Sequence, residues 1–304
     1  MERGKSEMER VLVLGGTQFF GKLLVEKLLN DNIAVTIATR GQSKDPFGEK
    51  VERLIIDRED RDSLIHAFSE RNWDVVYDQS CLSPQEAKDA ADALKGKVKR
   101  YIFTSTMAVY EYGDKHVEED FDPFSFHFQF KTRRDYPGYL GYQEAKRAAE
   151  AYLFQETDFD VVAVRFPLVI GKDDYTNRLK FHVDRVLNRK PIGIKFPDAK
   201  YSFITSDEAA KFLLHMGRDV FTGPINPGCK ADISLRSFLG KIEEITGESA
   251  EVTSELTKEN SSPYGMDGSW SINTDRVNHL GYQFTDLNEV LDELIQYFMR
   301  VKIN

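Results

Sequence analysis

The chain has 304 residues, 41% hydrophobic and 30% charged, and a formal net charge of −9 at pH 7. This composition is that of a globular protein with one large core or two unequal ones, and the acidic balance argues against nucleic acid as the main partner. The charged residues 1–10 lead into an apolar run, Val11–Leu14, that is too short for a secretory signal or a membrane span. We therefore expect a cytoplasmic protein without a membrane partner.

The cysteines and histidines do not suggest metal binding. Cys81 and Cys229 are far apart in sequence and match neither a disulfide framework nor a metal-ligand spacing. The 6 histidines are equally scattered. We expect no metal.

Short β-rich runs alternate with amphipathic helical stretches along the first two-thirds of the chain. The predicted elements, in order, are strand Arg10–Leu14, helix Gly21–Leu29, strands Ala34–Ala38 and Arg53–Ile56, helix Asp62–Glu70, strand Asp74–Tyr77, helix Pro84–Leu94, strand Arg100–Thr104, helix Gly141–Gln155 and strand Val161–Arg165. This alternation predicts βαβ units and a parallel sheet with helices on both faces. Ligands of such sheets bind beyond the carboxyl ends of the strands.

After about Gly171 the pattern is less regular. Predicted helices Asn177–Leu187, Ser206–Met216, Leu235–Thr246 and Leu287–Phe298 are mixed with short apolar pieces and turn clusters such as residues 223–228. We therefore predict two domains, residues 1–171 and a smaller domain of residues 172–304, with some segments of the second returning to the sheet.

Residues 121–139 form a segment rich in aromatic side chains, with phenylalanine at every second position from Phe124 to Phe130. This alternation indicates an extended piece with one buried face. The segment is either a lid over the substrate or an insertion that fills the domain interface. It also contains a basic run, Lys131–Arg134, which we interpret as a solvated surface.

Residues Val11–Gly21 read VLVLGGTQFFG, an apolar strand that enters a glycine turn directly before a helix. The free N–H groups and the helix dipole at such a turn favour a pyrophosphate. Gly15 and Gly21 lie where tight turning and close packing exclude a side chain, whereas the middle position, often glycine, is Gln18. Alone, the pattern is also that of an ordinary strand-to-helix turn.

A second motif lies on the predicted helix Gly141–Gln155. Tyr142 and Lys146 are four residues apart and therefore project from the same face of the helix. A nearby ammonium group is expected to lower the pKa of a phenol from about 10 towards neutrality. Ser105 and Thr106 add hydroxyl groups at the carboxyl end of the strand that begins at Arg100.

Together these motifs resemble the extended short-chain dehydrogenase/reductases, the superfamily of nucleotide-sugar epimerases and dehydratases. Further landmarks of the resemblance are Arg165–Gly171, Tyr201–Ala210 and Asn273–Gly281. It implies an α/β fold in which a Rossmann-type, doubly wound parallel sheet carries a smaller C-terminal α+β substrate domain. It also implies catalytic roles for Thr106, Tyr142 and Lys146.

The resemblance implies a nicotinamide cofactor. The expected contacts come from the glycine turn, the ends of the following strands, the Tyr/Lys helix and the segment entering the substrate domain: Gly15, Gly16, Thr17, Gln18, Phe19, Phe20, Gly21, Arg40, Asp57, Arg58, Gln79, Ser80, Ser105, Tyr142, Lys146, Pro167 and Val169. The second strand ends with Arg40 where NAD-preferring sites carry an acid, so we predict a preference for NADP over NAD. The alternative is a solvent-exposed arginine at a strand end.

Two departures concern the substrate. Leu168 stands where nucleotide-sugar members carry an asparagine, and Tyr201 stands where they often carry an arginine that pairs with the pyrophosphate. A nucleotide-sugar substrate is therefore not expected. Lys172, Arg178 and Lys180 are either another anion site or a solvated helix face.

These observations favour an NAD(P)-dependent oxidoreductase, or an epimerase or dehydratase, acting on a secondary alcohol or carbonyl of a small substrate. The alternative is a cofactor-sensing or RNA-binding protein without catalysis, because GGTQFFG also resembles the atypical branch that includes chloroplast stem-loop RNA-binding proteins. Members of that branch often lack the tyrosine that this chain retains. Helices Pro84–Leu94 and Gly141–Gln155 correspond to those that often pair subunits, so a homodimer is possible.

Overall fold

The computed structural model describes residues 8–303. In chain order the elements are β1 (Arg10–Leu14), α1 (Phe19–Asn30), β2 (Ala34–Thr39), β3 (Val51–Ile55), α2 (Arg61–Ala67), β4 (Val75–Asp78), α3 (Pro84–Leu94), β5 (Arg100–Thr106), β6 (Gly113–His116), α4 (Gly138–Glu156), β7 (Asp160–Phe166), β8 (Leu168–Ile170), α5 (Arg178–Leu187), β9 (Ile192–Gly193), β10 (Lys200–Tyr201), β11 (Phe203–Thr205), α6 (Ser206–Arg218), β12 (Gly223–Ile225), β13 (Ile233–Ser234), α7 (Leu235–Thr246), β14 (Val252–Thr253), β15 (Trp270–Ile272), α8 (Asp275–His279) and α9 (Leu287–Ile303). The strands and helices predicted from the sequence are present, with ends displaced by a few residues.

The described residues divide into two compact units. The first contains residues 8–109, 118–166 and 209–225, and the second contains residues 110–117, 167–208 and 226–303. Residues 209–225, beyond the predicted boundary at residue 171, thus belong to the first unit, and residues 110–117, before it, belong to the second. The reason is strand pairing: β12 pairs with β7 in the first unit, and β6 pairs with β15 in the second.

Within residues 8–303, the first unit is built on a seven-stranded parallel sheet in the order β12-β7-β5-β4-β1-β2-β3. The doubly wound α/β fold expected from the sequence is thus confirmed. Residues 223–225 were expected in a turn cluster, which is wrong, because Gly223–Ile225 adds an edge strand beside β7. A strand of three residues that contains glycine and proline has no strand pattern in its sequence. An edge strand tolerates proline because fewer of its backbone N–H groups need a partner.

Helices cover both faces of this sheet. Leu12 and Val76 belong to a buried cluster that also includes Ala87 of α3 and Leu153 of α4. On the opposite face, a Cβ atom on Gly16 would lie 2.7 Å from Val13 Cγ1 and 3.1 Å from Val25 Cγ2 of α1. Alternate residues of β1 therefore pack against different helix layers, as expected for a strand buried on both faces.

The second unit is smaller and mixed. Its strands include a sheet in the order β13-β10-β15-β6 and a parallel pair of β8 and β11. Helices α5, α7 and α9 pack against one another. Aromatic rings fill its interior, with His182 stacked on Tyr264 at 5.1 Å between ring centroids. In the described part of the chain, no helix combines the length and the apolar character that a bilayer span needs.

Candidate active site

The glycine turn joins β1 to α1. Gly15 and Gly16 have φ values of +105° and +83°, which side chains disfavour, and Gly15 N donates to Ala38 O at 3.0 Å. A Cβ atom on Gly21 would lie 2.1 Å from Gln79 Oε1. The turn is therefore closed so tightly that it excludes side chains, and its backbone faces the carboxyl edge of the sheet.

A cleft of about 500 Å³ opens at this edge. Its lining includes seven residues expected to contact a cofactor: Gly15, Thr17, Gln18, Arg40, Asp57, Arg58 and Ser80. Further lining residues, not expected from the sequence, are Ala38, Thr39, Gln42, Ser43, Ile56, Glu59, Arg133 and Arg134. The cleft thus joins the glycine turn to the ends of neighbouring strands, as in doubly wound sheets that bind nucleotides.

The buried carboxylate of Asp78 binds Arg58, which lines the cleft. Arg58 Nη2 donates to Asp78 Oδ2 at 2.8 Å, and the Tyr101 hydroxyl donates to the same oxygen at 2.5 Å. Burial tends to lower the pKa of Arg58, but the negative charge of Asp78, together with smaller contributions from Cys81, Tyr101 and Glu86, raises that pKa above its usual range. Arg58 Nε and Nη1 and Gln79 Nε2 are buried donors without a hydrogen-bond partner among residues 8–303.

Thr106 and Tyr142 meet where β5 ends and α4 begins. Their side chains are hydrogen-bonded, and Thr106 Oγ1 also accepts from Ala108 N at 3.1 Å. Burial of the phenol raises the pKa of Tyr142, while the bond with Thr106 lowers it and only partly offsets the burial. This direction is opposite to the expected fall towards neutrality, because burial of the phenol has the larger effect.

Lys146 lies one helical turn beyond Tyr142 and is almost completely buried. Its ammonium group donates to Thr104 O at 2.7 Å and to Cys81 O at 3.0 Å, and lies 4.2 Å from the centre of the Phe103 ring. Burial lowers the pKa of Lys146. The ammonium therefore links α4 to the ends of β4 and β5, with two of its three protons engaged.

The hydroxyl group of Ser105 does not join that of Thr106 at the end of β5. Its hydroxyl donates to Glu150 Oε2 at 2.6 Å, and both residues are buried. Glu150 forms an ion pair with Arg165, whose guanidinium also donates to Glu118 O at 2.7 Å and Phe121 O at 3.0 Å. Successive strand residues point to opposite faces, so Ser105 enters this interior network while Thr106 points towards Tyr142.

Among the remaining predicted contacts, Phe19, Phe20 and Val169 also make contacts within the protein. The ring of Phe20 lies 5.6 Å from that of Phe19 and 5.4 Å from that of Phe166. Pro167 and Val169 belong to the second unit, where Val169 O accepts from Arg178 Nη2 at 2.9 Å.

The second predicted anion site is not open. Lys172 pairs with Glu293 at 2.5 Å, and Lys180 pairs with Asp184 one helical turn away. Arg178 is engaged by the carbonyl of Val169, so each of the three cations already has a partner. Within residues 8–303, no group of three or more His, Cys, Asp or Glu side chains is arranged to hold a metal ion.

The aromatic segment, defined here as residues 121–136, packs within the first unit. The ring centroid of Phe124 lies 4.8 Å from that of Phe154, and the ring centroid of Phe128 lies 6.3 Å from that of Tyr152. Phe154 and Tyr152 belong to α4. Phe126 and Phe128 are half-buried, whereas Phe124 and Phe130 are exposed, so the predicted buried face covers only the middle of the alternating run. The two arginines that this segment adds to the cleft were missed, although the basic run Lys131–Arg134 was a signal for them.

Comparisons with known proteins agree with this architecture. Residues 11–227 match the family model "NAD dependent epimerase/dehydratase family". The chain superimposes on a UDP-N-acetylglucosamine 4-epimerase from Methanobrevibacter ruminantium M1 with a TM-score of 0.73, 20% identity and coverage of 97% of this chain and 99% of the other. It also superimposes on the Thermus thermophilus UDP-glucose 4-epimerase in complex with NAD, with a TM-score of 0.70 and 19% identity. This superposition covers 95% of this chain and 99% of the other. At these identities, the similarity establishes the fold alone.

One curated relative is more similar in sequence over a shorter stretch. The chain is 33% identical over 138 residues to the chloroplast stem-loop binding protein of 41 kDa b from Arabidopsis thaliana. This match spans 40% of the chain and 36% of the relative.

Proposed function

Because the chain belongs to the NAD-dependent epimerase/dehydratase family, we propose that it is an NADP(H)-dependent enzyme that acts on a secondary alcohol or carbonyl of a small substrate. The observation that carries this proposal is the hydrogen-bonded pair of Thr106 and Tyr142, with Lys146 one turn further along α4. These side chains lie at the carboxyl ends of the strands, in the same unit as the glycine turn.

The residues of the cleft fit a nicotinamide dinucleotide. The glycine turn presents backbone N–H groups to a pyrophosphate, and Arg58 and Gln79 carry buried donors that lack partners among the described residues. Such donors suit ring nitrogens and ribose oxygens. When bound, the cofactor supplies hydride transfer at the nicotinamide ring.

The side chains at the end of β5 and on α4 supply the proton chemistry. Tyr142 exchanges a proton with the substrate oxygen, and the Thr106 hydroxyl donates a hydrogen bond to that oxygen as charge develops on it. Lys146 links α4 to Thr104 of β5 and to the segment after β4, and its remaining proton would serve to hold the cofactor ribose. Its positive charge favours the phenolate form of Tyr142 and so acts against the effect of burial.

The cofactor preference rests on Arg40. It follows β2, lines the cleft and has no ion-pair partner among the described residues. A guanidinium at this place suits a 2′-phosphate. For Arg40→Gln we expect the dissociation constant of NADPH to rise about tenfold or more, as for a lost hydrogen bond to a charged group, and that of NADH to change little.

Calorimetry with both cofactors measures this preference. Arg71→Gln is the control, because Arg71 is a surface arginine that pairs with Glu52 at 3.0 Å and lies outside this cleft. Tighter binding of NADH than of NADPH to the wild-type protein would reject the preference. Mass spectrometry of the ligand released from the purified protein identifies the cofactor independently.

The substrate proposed here is smaller than a nucleotide sugar. Leu168 and Tyr201, at the positions where nucleotide-sugar members carry polar or charged residues, are both buried in the second unit. Neither supplies the positive charge that a pyrophosphate needs. A screen of small ketones and secondary alcohols, with UDP-glucose as the comparison, tests this class; turnover of UDP-glucose alone would reject it.

A second candidate function is stem-loop binding, which the name of the 33% identical relative favours. The net charge of −9 opposes it, since phosphate binding requires clustered cations. A gel-shift assay with a structured RNA at physiological salt tests this candidate beside the dehydrogenase screen. Binding of the RNA without any cofactor-dependent turnover would favour the second function over the first.

The resemblance to the extended short-chain dehydrogenase/reductases also favours a homodimer that forms through α3 and α4. Sedimentation analysis of the purified protein tests it, and a monomer at micromolar concentration would reject it.

A further inference from the structure

We propose that the aromatic segment delivers Arg134 to the cleft as a second recognition group for the 2′-phosphate of NADP(H), with Arg133 as its positioning residue. This inference rests on the proposed function, because it assigns to the segment a role in selecting the dinucleotide. It differs from a lid over the substrate, since the segment lines the same cleft as Arg40.

The segment is fixed along its length. At its start, Phe121 O accepts from Arg165 Nη2 at 3.0 Å. In its middle, Gln155 Nε2 donates to Pro123 O at 2.6 Å and to Phe126 O at 3.0 Å. At its end, a Cβ atom on Gly141 would lie 2.4 Å from the carbonyl carbon of Tyr136, so backbone packs directly on α4. The arginines before Tyr136 are therefore held at a defined place.

Arg133 is held by the protein through its Nε and Nη2 nitrogens. Its Nε donates to Glu86 Oε1 at 2.5 Å and its Nη2 to Glu86 Oε2 at 2.8 Å. The Glu86 side chain is buried, and its Oε2 also accepts from Leu82 N at 3.0 Å. The hydrogen bonds with Glu86 raise the pKa of Arg133. A bidentate pair with a buried carboxylate fixes the guanidinium, so this residue orients its neighbour rather than a ligand.

Arg134 is engaged much less. Its side chain is 79% exposed, and its Nε lies 2.8 Å from Glu59 Oε2. Its two Nη groups make no hydrogen bond within residues 8–303. Because a guanidinium is a planar fork with five donors, four N–H donors remain for a phosphate. The carboxylate of Glu59 competes with a phosphate for this guanidinium.

The arginines of the cleft wall differ in how far carboxylates engage them. Four arginines line the cleft together with Asp57 and Glu59, although the whole chain carries a net charge of −9. Asp78 pairs with Arg58, and Glu86 pairs with Arg133. Arg134 pairs with Glu59 through Nε, and Arg40 has no ion-pair partner among the described residues, so these two arginines keep donors for a dianionic phosphate ester.

The experiment measures dissociation constants of NADPH, NADH, 2′,5′-ADP and 5′-ADP by calorimetry. For Arg134→Gln we expect NADPH and 2′,5′-ADP to bind about tenfold more weakly, while NADH and 5′-ADP change less than about twofold. Glu59→Gln removes the competing carboxylate and should strengthen NADPH binding. Arg71→Gln is again the control outside the cleft.

A double-mutant cycle tests the positioning role of Arg133. Arg133→Gln should lower the NADPH-to-NADH selectivity in the wild-type background but not in the Arg134→Gln background, because it acts through that side chain. Loss of stability alone leaves the selectivity ratio unchanged and would contradict this role.

The outcomes separate the two proposals. If Arg134→Gln keeps the full preference for NADPH while Arg40→Gln loses it, the role of Arg134 is rejected and the proposed function stands. An equal loss for NADPH and NADH in Arg134→Gln also rejects it. If the wild-type protein binds neither dinucleotide, both proposals are rejected.

Discussion

Two adjacent residues at the end of β5 enter opposite environments. Ser105 joins Glu150 and Arg165 in an interior network whose polar atoms are bonded to one another and to backbone carbonyls. Thr106, on the other face, meets the phenol of Tyr142, a residue that remains 38% exposed as a whole. One strand end therefore serves two purposes. The polar groups around Ser105 are bonded to one another and stabilise the interior, whereas Thr106 and Tyr142 can still bind a substrate and take part in chemistry.

The largest effect is expected from breaking the interior network. Glu150→Ala leaves the guanidinium of Arg165 buried without its carboxylate, which costs about 3 to 5 kcal/mol. Urea denaturation measures this loss of stability. Glu144→Ala, at an exposed position of the same helix, is the control and should change the free energy of unfolding only slightly. Equal stabilities of the two variants would contradict the structural role of the network.

A substitution on the Thr106 and Tyr142 side of β5 should instead lower turnover and leave stability unchanged. Tyr142→Phe removes the proton donor, so turnover should fall about 100-fold or more while the stability and the affinity for NADPH stay unchanged. Tyr139→Phe, one turn earlier on α4, is the control for loss of a phenol hydroxyl. Full turnover by Tyr142→Phe on any substrate of the enzyme would contradict the proposed chemistry.

Removing the hydroxyl of Thr106 should shift a pH profile. The bond with Thr106 lowers the pKa of Tyr142, so Thr106→Val raises that pKa further. In the direction of alcohol oxidation, the phenolate is the base and kcat/KM rises with pH. The rising limb should therefore move to higher pH by about half a unit to one unit, as expected for one hydrogen bond. A shift of the rising limb to lower pH would contradict the assignment of Tyr142 as the base.

The smallest effect is expected for Ser105→Ala. It removes one donor from Glu150 but leaves the ion pair with Arg165, so the free energy of unfolding should fall by about 1 kcal/mol. The pH profile should remain that of the wild-type protein. A shift of the profile like that of Thr106→Val would indicate that both hydroxyls serve the same face.

Much of the fold and part of the site followed from the sequence. The alternation of β-rich and amphipathic runs predicted the parallel sheet, and the four-residue spacing placed Tyr142 and Lys146 on one helix face. The strand alternation also contained the information that Ser105 and Thr106 point apart, because adjacent strand residues face opposite sides.

Other features depend on tertiary contacts that no local pattern encodes. Arg133 and Glu86 are 47 positions apart, and their pairing follows from how residues 121–136 cross α3 and α4. The pKa of Tyr142 had the wrong predicted direction because sequence spacing reveals the nearby ammonium but not the burial of the phenol. Strand β12 was missed because its residues, Gly-Pro-Ile, carry no strand periodicity.

The most direct test follows the phenol of Tyr142 itself. Protein labelled with ¹³C at the tyrosine Cζ, with Tyr142→Phe to assign the resonance, is titrated with NADP⁺ and then with base. Because the nicotinamide ring of NADP⁺ is positively charged, we predict that cofactor binding shifts the Tyr142 resonance and lowers its titration midpoint. A resonance and midpoint that do not change in a protein saturated with NADP⁺ would contradict the placement of this phenol beside the nicotinamide.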